Sequence, residues 1–264
     1  MSLLLNVSAL LALVPVGLFS LRTPHRTGGL FWCLLSVAAA GPLLFVLVSV
    51  GTAWRSDLAM ALWLAVCASL LIYLPLCWFK PEARGLTVLL MPYLFLLTLI
   101  ATIAGAAPHI VLNEGLPGTW FSAHIAVALA TYALLTLAAI TGLAIFIKER
   151  ALKLKRSATG IAPALPSVAD SEKLQSQLLG AAVIVLLCGL ATGIALQNYL
   201  TGHVLEFDHK TVLSIVTLVI LAVLWLVNCR FGMRGRTVSR LVLVAYLLLT
   251  LAYPGVKFVA EILS

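Results

Sequence analysis

Nearly unbroken apolar runs occupy residues at about 2–21, 29–50, 58–79, 86–106, 119–147, 174–199, 210–228 and 238–262, with polar residues gathered between them. A helix needs roughly 20 apolar residues to cross the hydrocarbon core of a bilayer, and each run is about that long. The pattern predicts an all-α integral membrane protein, an eight-transmembrane-helix bundle. The connections are short except at about 148–173, so a single membrane domain is expected over residues 1–264. The first run has no basic residues before it, and Pro24 and His25 follow it instead of a small-residue cleavage site, so it reads as a retained span.

Composition agrees with the pattern. Of 264 residues, 62% are hydrophobic and 10% charged, too little polar surface for a water-soluble domain to cover its apolar surface. The formal charge of +8 takes its meaning from where the basic residues fall. Arg22, Arg26, Lys80, Arg84, Lys148, Arg150, Lys153, Lys155, Arg156, Lys173, Arg230, Arg234, Arg236 and Arg240 lie in the odd-numbered connections, against Arg55, Lys210 and Lys257 elsewhere. By the positive-inside rule the odd connections are cytoplasmic and both termini face outward. The basic charge then calls for membrane lipid headgroups as partners, and no nucleic acid.

The fifth connection, "KERALKLKRSATGIAPALPSVADSEKLQSQLLG", begins as a basic extension of the fifth helix and turns at Pro163 and Pro166. Ser167 followed by Asp170 has capping-box spacing and predicts a helix start. For residues 148–166 a solvated linker is an equal expectation. In the sixth span, Gly189-x-x-x-Gly193, with Gly180 and Ala181 before it, forms a small-residue face that lets another helix approach closely. Trp54 and Trp120 at outer boundaries and Trp78 at an inner one read as interfacial anchors. Cys33, Cys67, Cys77, Cys188 and Cys229 form no Cys-x-x-Cys pair and read as packing residues.

Several function classes lose support. All nine carboxylates, from Asp57 to Glu261, sit in connections or near helix ends, so no intramembrane carboxylate relay exists for ion-coupled transport. The broken helices and buried polar sites usual in transporters are not evident. No Gly-rich phosphate loop, nucleophile with a partnered base or paired carboxylates appear, so no catalytic residues are assigned and the chain does not read as an enzyme.

Histidine is distributed in the opposite sense to the basic residues. His25 is on the cytoplasmic side, whereas His109, His124, His203 and His209 fall in or beside the outward-facing connections. His124, in "GTWFSAHIAVALATYALL", enters a span about one turn from its outer end. Neutral imidazole ligates haem iron well; a histidine hydrogen-bonded to a neighbouring helix or to interfacial water fits the same position. Ala128, Thr131, Tyr132 and Leu135 share its helical face, so Tyr132 is expected deeper along one cavity. His209, at the start of the seventh span, lies at the same surface and makes a bis-histidine site for a flat apolar macrocycle conceivable.

The segments "GTWFSAHIAVALATYALL", "LPSVADSEKLQSQLLGAAVIVLLCGLATG" and "DHKTVLSIVTLVILAVLWLVNCRFGMRGRTVSR" resemble the cytochrome c assembly family of membrane proteins, the CcsA and HemX type, and most closely its YpjD-like bacterial branch. The resemblance covers the chain from about Trp120 onward. It implies that His124 is an external haem ligand and that Asp208 and Lys210 match the family's Asp-Pro-Lys helix start, with His209 in place of proline. The family's tryptophan-rich haem platform is replaced by "GHVLEFDHK", with Phe207 its aromatic residue, and the second external histidine expected after the platform has no counterpart. That departure argues against covalent attachment of haem to apocytochrome.

Two functions follow. The first is a haem-handling protein of the bacterial inner membrane, related to cytochrome c biogenesis, that binds or presents haem non-covalently at the outer face. Its site is expected from His124 and His209 as metal ligands, with Asp208, Lys210, Tyr132, Trp120 and His109 around them. The second is a non-catalytic membrane subunit that regulates or anchors another membrane protein, or a second copy of itself, through Gly189, Gly193 and the basic loops.

Overall fold

The computed structural model describes residues 3–23, 28–52, 57–105, 118–155, 160–201, 209–231 and 236–250. Among the described residues all regular structure is helical: α1 (Leu3–Leu11), α2 (Val14–Arg22), α3 (Gly29–Thr52), α4 (Leu58–Phe79), α5 (Thr87–Ala104), α6 (Thr119–Lys153), α7 (Val168–Thr201), α8 (His209–Phe231) and α9 (Arg236–Thr250). Six stretches are long and apolar enough to cross a membrane, the first being α1 and α2 together, and Thr211–Val227 and Val238–Thr250 are shorter apolar helices.

The first expected span is interrupted. The Leu13 N–H turns back to the Leu10 carbonyl at 3.2 Å, and α2 restarts with Pro15 in its first turn. Proline has no N–H to give to a carbonyl four residues earlier, so the ladder breaks where the sequence pattern alone shows a continuous run. Pro42, Pro75 and Pro92 lie inside α3, α4 and α5, which continue through them. Helices packed in membrane bundles accommodate this because neighbouring groups re-satisfy the freed carbonyl. Asp57 caps α4 by accepting a hydrogen bond from the Met60 N–H at 2.8 Å.

α6 is the central helix, packing on α7, α9 and α4. Its contacts with α7 run antiparallel, since Gly142 meets Gln175 and His124 meets Gly193. The large core cluster spreads around it and includes Tyr73, Leu90, Leu94, Leu135, Leu137, Leu179, Leu221 and Val242. A smaller cluster around Phe45 and Trp63 closes the other end of α1, α3 and α4.

The described part of the 148–166 connection is seated on the bundle and is not a solvated linker. Ala162 and Leu165 are buried, and Lys148 Nζ donates to the Ala162 and Leu165 carbonyls at 2.6 and 3.1 Å. Gly85 makes the seat: a Cβ there would stand 2.7 Å from the Ala164 carbonyl oxygen. The cap then starts α7 as the spacing implied. The Asp170 N–H donates to Ser167 Oγ at 3.1 Å, and that hydroxyl donates to the Asp170 carboxylate at 2.6 Å.

Candidate functional site

His124 lies one turn inside the start of α6 and faces α7. Its Nδ1 stands 3.1 Å from Thr192 Oγ1. The close approach depends on glycine, because a Cβ built on Gly193 would be 3.0 Å from His124 Cε1. One turn deeper, Val127 lies 3.5 Å from the corresponding position on Gly189. The Gly189-x-x-x-Gly193 face is thus the groove that receives α6, as small-residue faces in membrane helices do. Gly180 serves a different neighbour, since its Cβ would meet Trp225 Nε1 of α8 at 2.6 Å.

Exposure changes along α6 at this point. Fully buried positions begin at Thr131, whereas Trp120 to Ala130 are exposed or half-buried, His124 among the latter. Trp120 and Phe121, in the turn before His124 on α6, present apolar surface. An imidazole that is held in place yet half-buried, beside open apolar surface, is suited to ligate the iron of an apolar macrocycle. Among the described residues no three His, Cys, Asp or Glu side chains converge. The four cysteines described, Cys33, Cys67, Cys77 and Cys188, are free.

Tyr132 does not share a contact with His124. Eight residues advance an α-helix by about 80° beyond two full turns, enough to move the side chain from the α7 side toward α9. There the Tyr132 hydroxyl meets that of Tyr246 at 3.0 Å, and Tyr246 also hydrogen-bonds Tyr93 of α5. The three phenols form a polar clasp between α5, α6 and α9. A second tie uses Gln175 of α7, whose Nε2 donates to the Ala138 carbonyl at 3.3 Å while its Oε1 accepts from Ser239 Oγ of α9 at 3.3 Å.

The remaining expected site residues are less fully placed. His209 is the first residue of α8, but its side chain and that of Lys210 lie outside the described residues, as do Asp208, His109, Arg55 and Trp54. α7 packs against both α6 and α8. With α8 turned back along α7 and meeting it at Gly180 and Trp225, equal rise per residue puts the start of α8 near the level of Leu196, one turn from Thr192. The two histidine-bearing helix starts therefore share one end of the bundle.

Thr192, Tyr93 and Tyr246 are absent from the sequence-based expectations. Thr192 had a signal: with Gly189 and Gly193 it occupies positions i, i+3 and i+4, one helical face. Tyr93 and Tyr246 each stand alone in an apolar run, and only the packing of α5, α6 and α9 brings them together.

Among known proteins, a family model described as cytochrome C assembly protein matches residues 55–264. An uncharacterized 28.8 kDa protein in the nifR3-like 5′ region of Azospirillum brasilense is 45% identical over 266 residues, which cover 98% of this chain and 97% of that one. No solved structure is significantly similar to the chain.

Proposed function

This chain belongs to the cytochrome c assembly protein family, and on that premise we propose that it binds haem non-covalently at the outer face of a bacterial inner membrane and presents it for cytochrome c biogenesis. The observation that carries the reading is the placement of His124: one imidazole held on a glycine cradle, half-buried, beside apolar helix ends. Haem supplies an iron that accepts an imidazole nitrogen and a flat apolar surface. His124 holds the iron, and His209 at the start of α8 is the second imidazole of the site. Trp120 and Phe121 cover apolar faces, and Lys210 and Arg55 are the cations assigned to the carboxylates, in charge pairs of a kind that is weak individually when exposed. Asp208 and His109 are assigned to the site from the sequence, and Tyr132 ties the deeper part of α6 to α9.

The site lacks the parts that covalent attachment uses in the family. "GHVLEFDHK" replaces the tryptophan-rich segment, and no Cys-x-x-Cys-His is present to carry haem through thioethers. The expected result is a Soret band in protein purified from haem-replete cells, with no maturation of a reporter cytochrome c when this protein is expressed alone. Purified protein that never carries haem would transfer the proposal to a membrane subunit that anchors another protein. That reading has lost one support, because the surface of Gly189 and Gly193 is already covered by α6.

The proposal uses eight spans with both termini outside, counting Thr211–Val227 and Val238–Thr250 with the six longer stretches. The distribution of basic residues supports that orientation. Reporter fusions at Ser157 and after Ser264 should report cytoplasmic and outer locations respectively. A cytoplasmic C terminus would require an odd number of spans or an inverted bundle.

A further inference from the structure

Resting on the haem reading of this site, we infer that Thr192 is a positioning residue that fixes His124 in the tautomer protonated at Nδ1, leaving Nε2 as the nitrogen offered to iron. Thr192 Oγ1 lies 2.9 Å from the Cys188 carbonyl and 3.0 Å from the Gly189 carbonyl. Those are the back-bonds a helical threonine makes to the preceding turn, and its one proton is committed to them. If that proton instead pointed at His124, two short oxygen to oxygen approaches would be left with no hydrogen between them.

With its proton committed, Thr192 only accepts. The ring nitrogen facing it at 3.1 Å is Nδ1, so Nδ1 carries the proton. A neutral imidazole has one proton to place, and Nε2 therefore keeps its lone pair.

Rotation of the ring is limited by the same face of α7. A Cβ on Gly193 would come within 3.0 Å of Cε1, 3.6 Å of Nδ1 and 3.7 Å of Nε2, so the edge of the imidazole rests on bare backbone. A hydrogen bond at one ring nitrogen and a fixed ring orientation are what make the other nitrogen a defined ligand. The device needs the Gly189 carbonyl, Thr192 and the bare backbone of Gly193 on one helical face, which is where the sequence "GLATG" puts them.

The test is nitrogen NMR of ¹⁵N-histidine-labelled protein in detergent, without haem, with the His124 signals assigned by their loss in His124→Gln. The wild type should show Nδ1 protonated and Nε2 unprotonated. Thr192→Val, which keeps the shape and removes the acceptor, should shift the ring toward the other tautomer, and Thr192→Ser should restore it. In a parallel haem titration Thr192→Val should weaken binding by about 10- to 100-fold, with Thr192→Ser near the wild type. A wild-type ring protonated at Nε2, or a Thr192→Val ring with an unchanged tautomer, overturns the inference whatever haem does. A ring protonated at Nδ1 in wild-type protein that takes up no haem overturns the haem reading, and with it the use of Nε2, but leaves the tautomer assignment standing.

Discussion

Gly193→Val should both loosen the α6 and α7 interface and dislodge the imidazole of His124. The Cβ alone would stand 3.0 Å from Cε1, and the two γ-methyls of valine reach further into the same space. The ring cannot hold its 3.1 Å approach to Thr192 while making room for them. Overpacking of this kind costs about 1–3 kcal/mol, to be read as a lower midpoint in thermal unfolding of the detergent-solubilised protein. Haem retention should fall with it, because the displaced ring loses its hydrogen bond. Gly189→Ala is the matched control: its Cβ would meet Val127 at 3.5 Å, ordinary van der Waals contact, so stability and haem retention should stay near those of the wild type. Equal loss in both variants would mean that the glycine face serves helix packing alone and gives His124 no particular seat.

The two glycines show how far the sequence could be read. That they let a helix approach was legible from their spacing, but which helix was not, because small-residue faces of α7 serve two neighbours. Gly180 takes Trp225 from α8, while Gly189 and Gly193 take α6. Helix positions were legible because lipid demands long apolar runs, and the start of α7 because Ser167 and Asp170 are local partners in sequence. The break before α2 needed the missing N–H of Pro15 to be weighed against a continuous hydropathic run, and hydropathy does not register a lost hydrogen bond.

Non-local polar partners were the least legible part. Tyr93 and Tyr246 are 153 residues apart and meet only because α5 and α9 both lie against the region of α6 that holds Tyr132. Hydrogen bonds of this kind in membrane proteins average about 0.6 kcal/mol, so the clasp selects an arrangement of helices more than it adds stability. His124 was visible as an ionisable residue inside a span. The direction in which it points was not, since a helical wheel grouped it with Tyr132 whereas the structure sends the two side chains to different helices.

The central claim is that His124 is the residue through which this protein holds haem. Its most direct test is the absorption spectrum of wild-type and His124→Ala protein purified side by side from haem-replete cells, with haem measured per chain. Removing the imidazole takes away the one ligand that the described site supplies, and alanine has no atom to replace it. His124 is half-buried at a helix end and its ring touches Thr192 and the bare backbone of Gly193, so the fold should survive the loss. A matching elution profile in gel filtration would establish that. The account predicts a Soret band in the wild type that is absent or strongly shifted and weakened in His124→Ala, with His209→Ala giving a shifted band and not a lost one. A wild-type Soret band that persists unchanged in position and intensity in folded His124→Ala protein would contradict it.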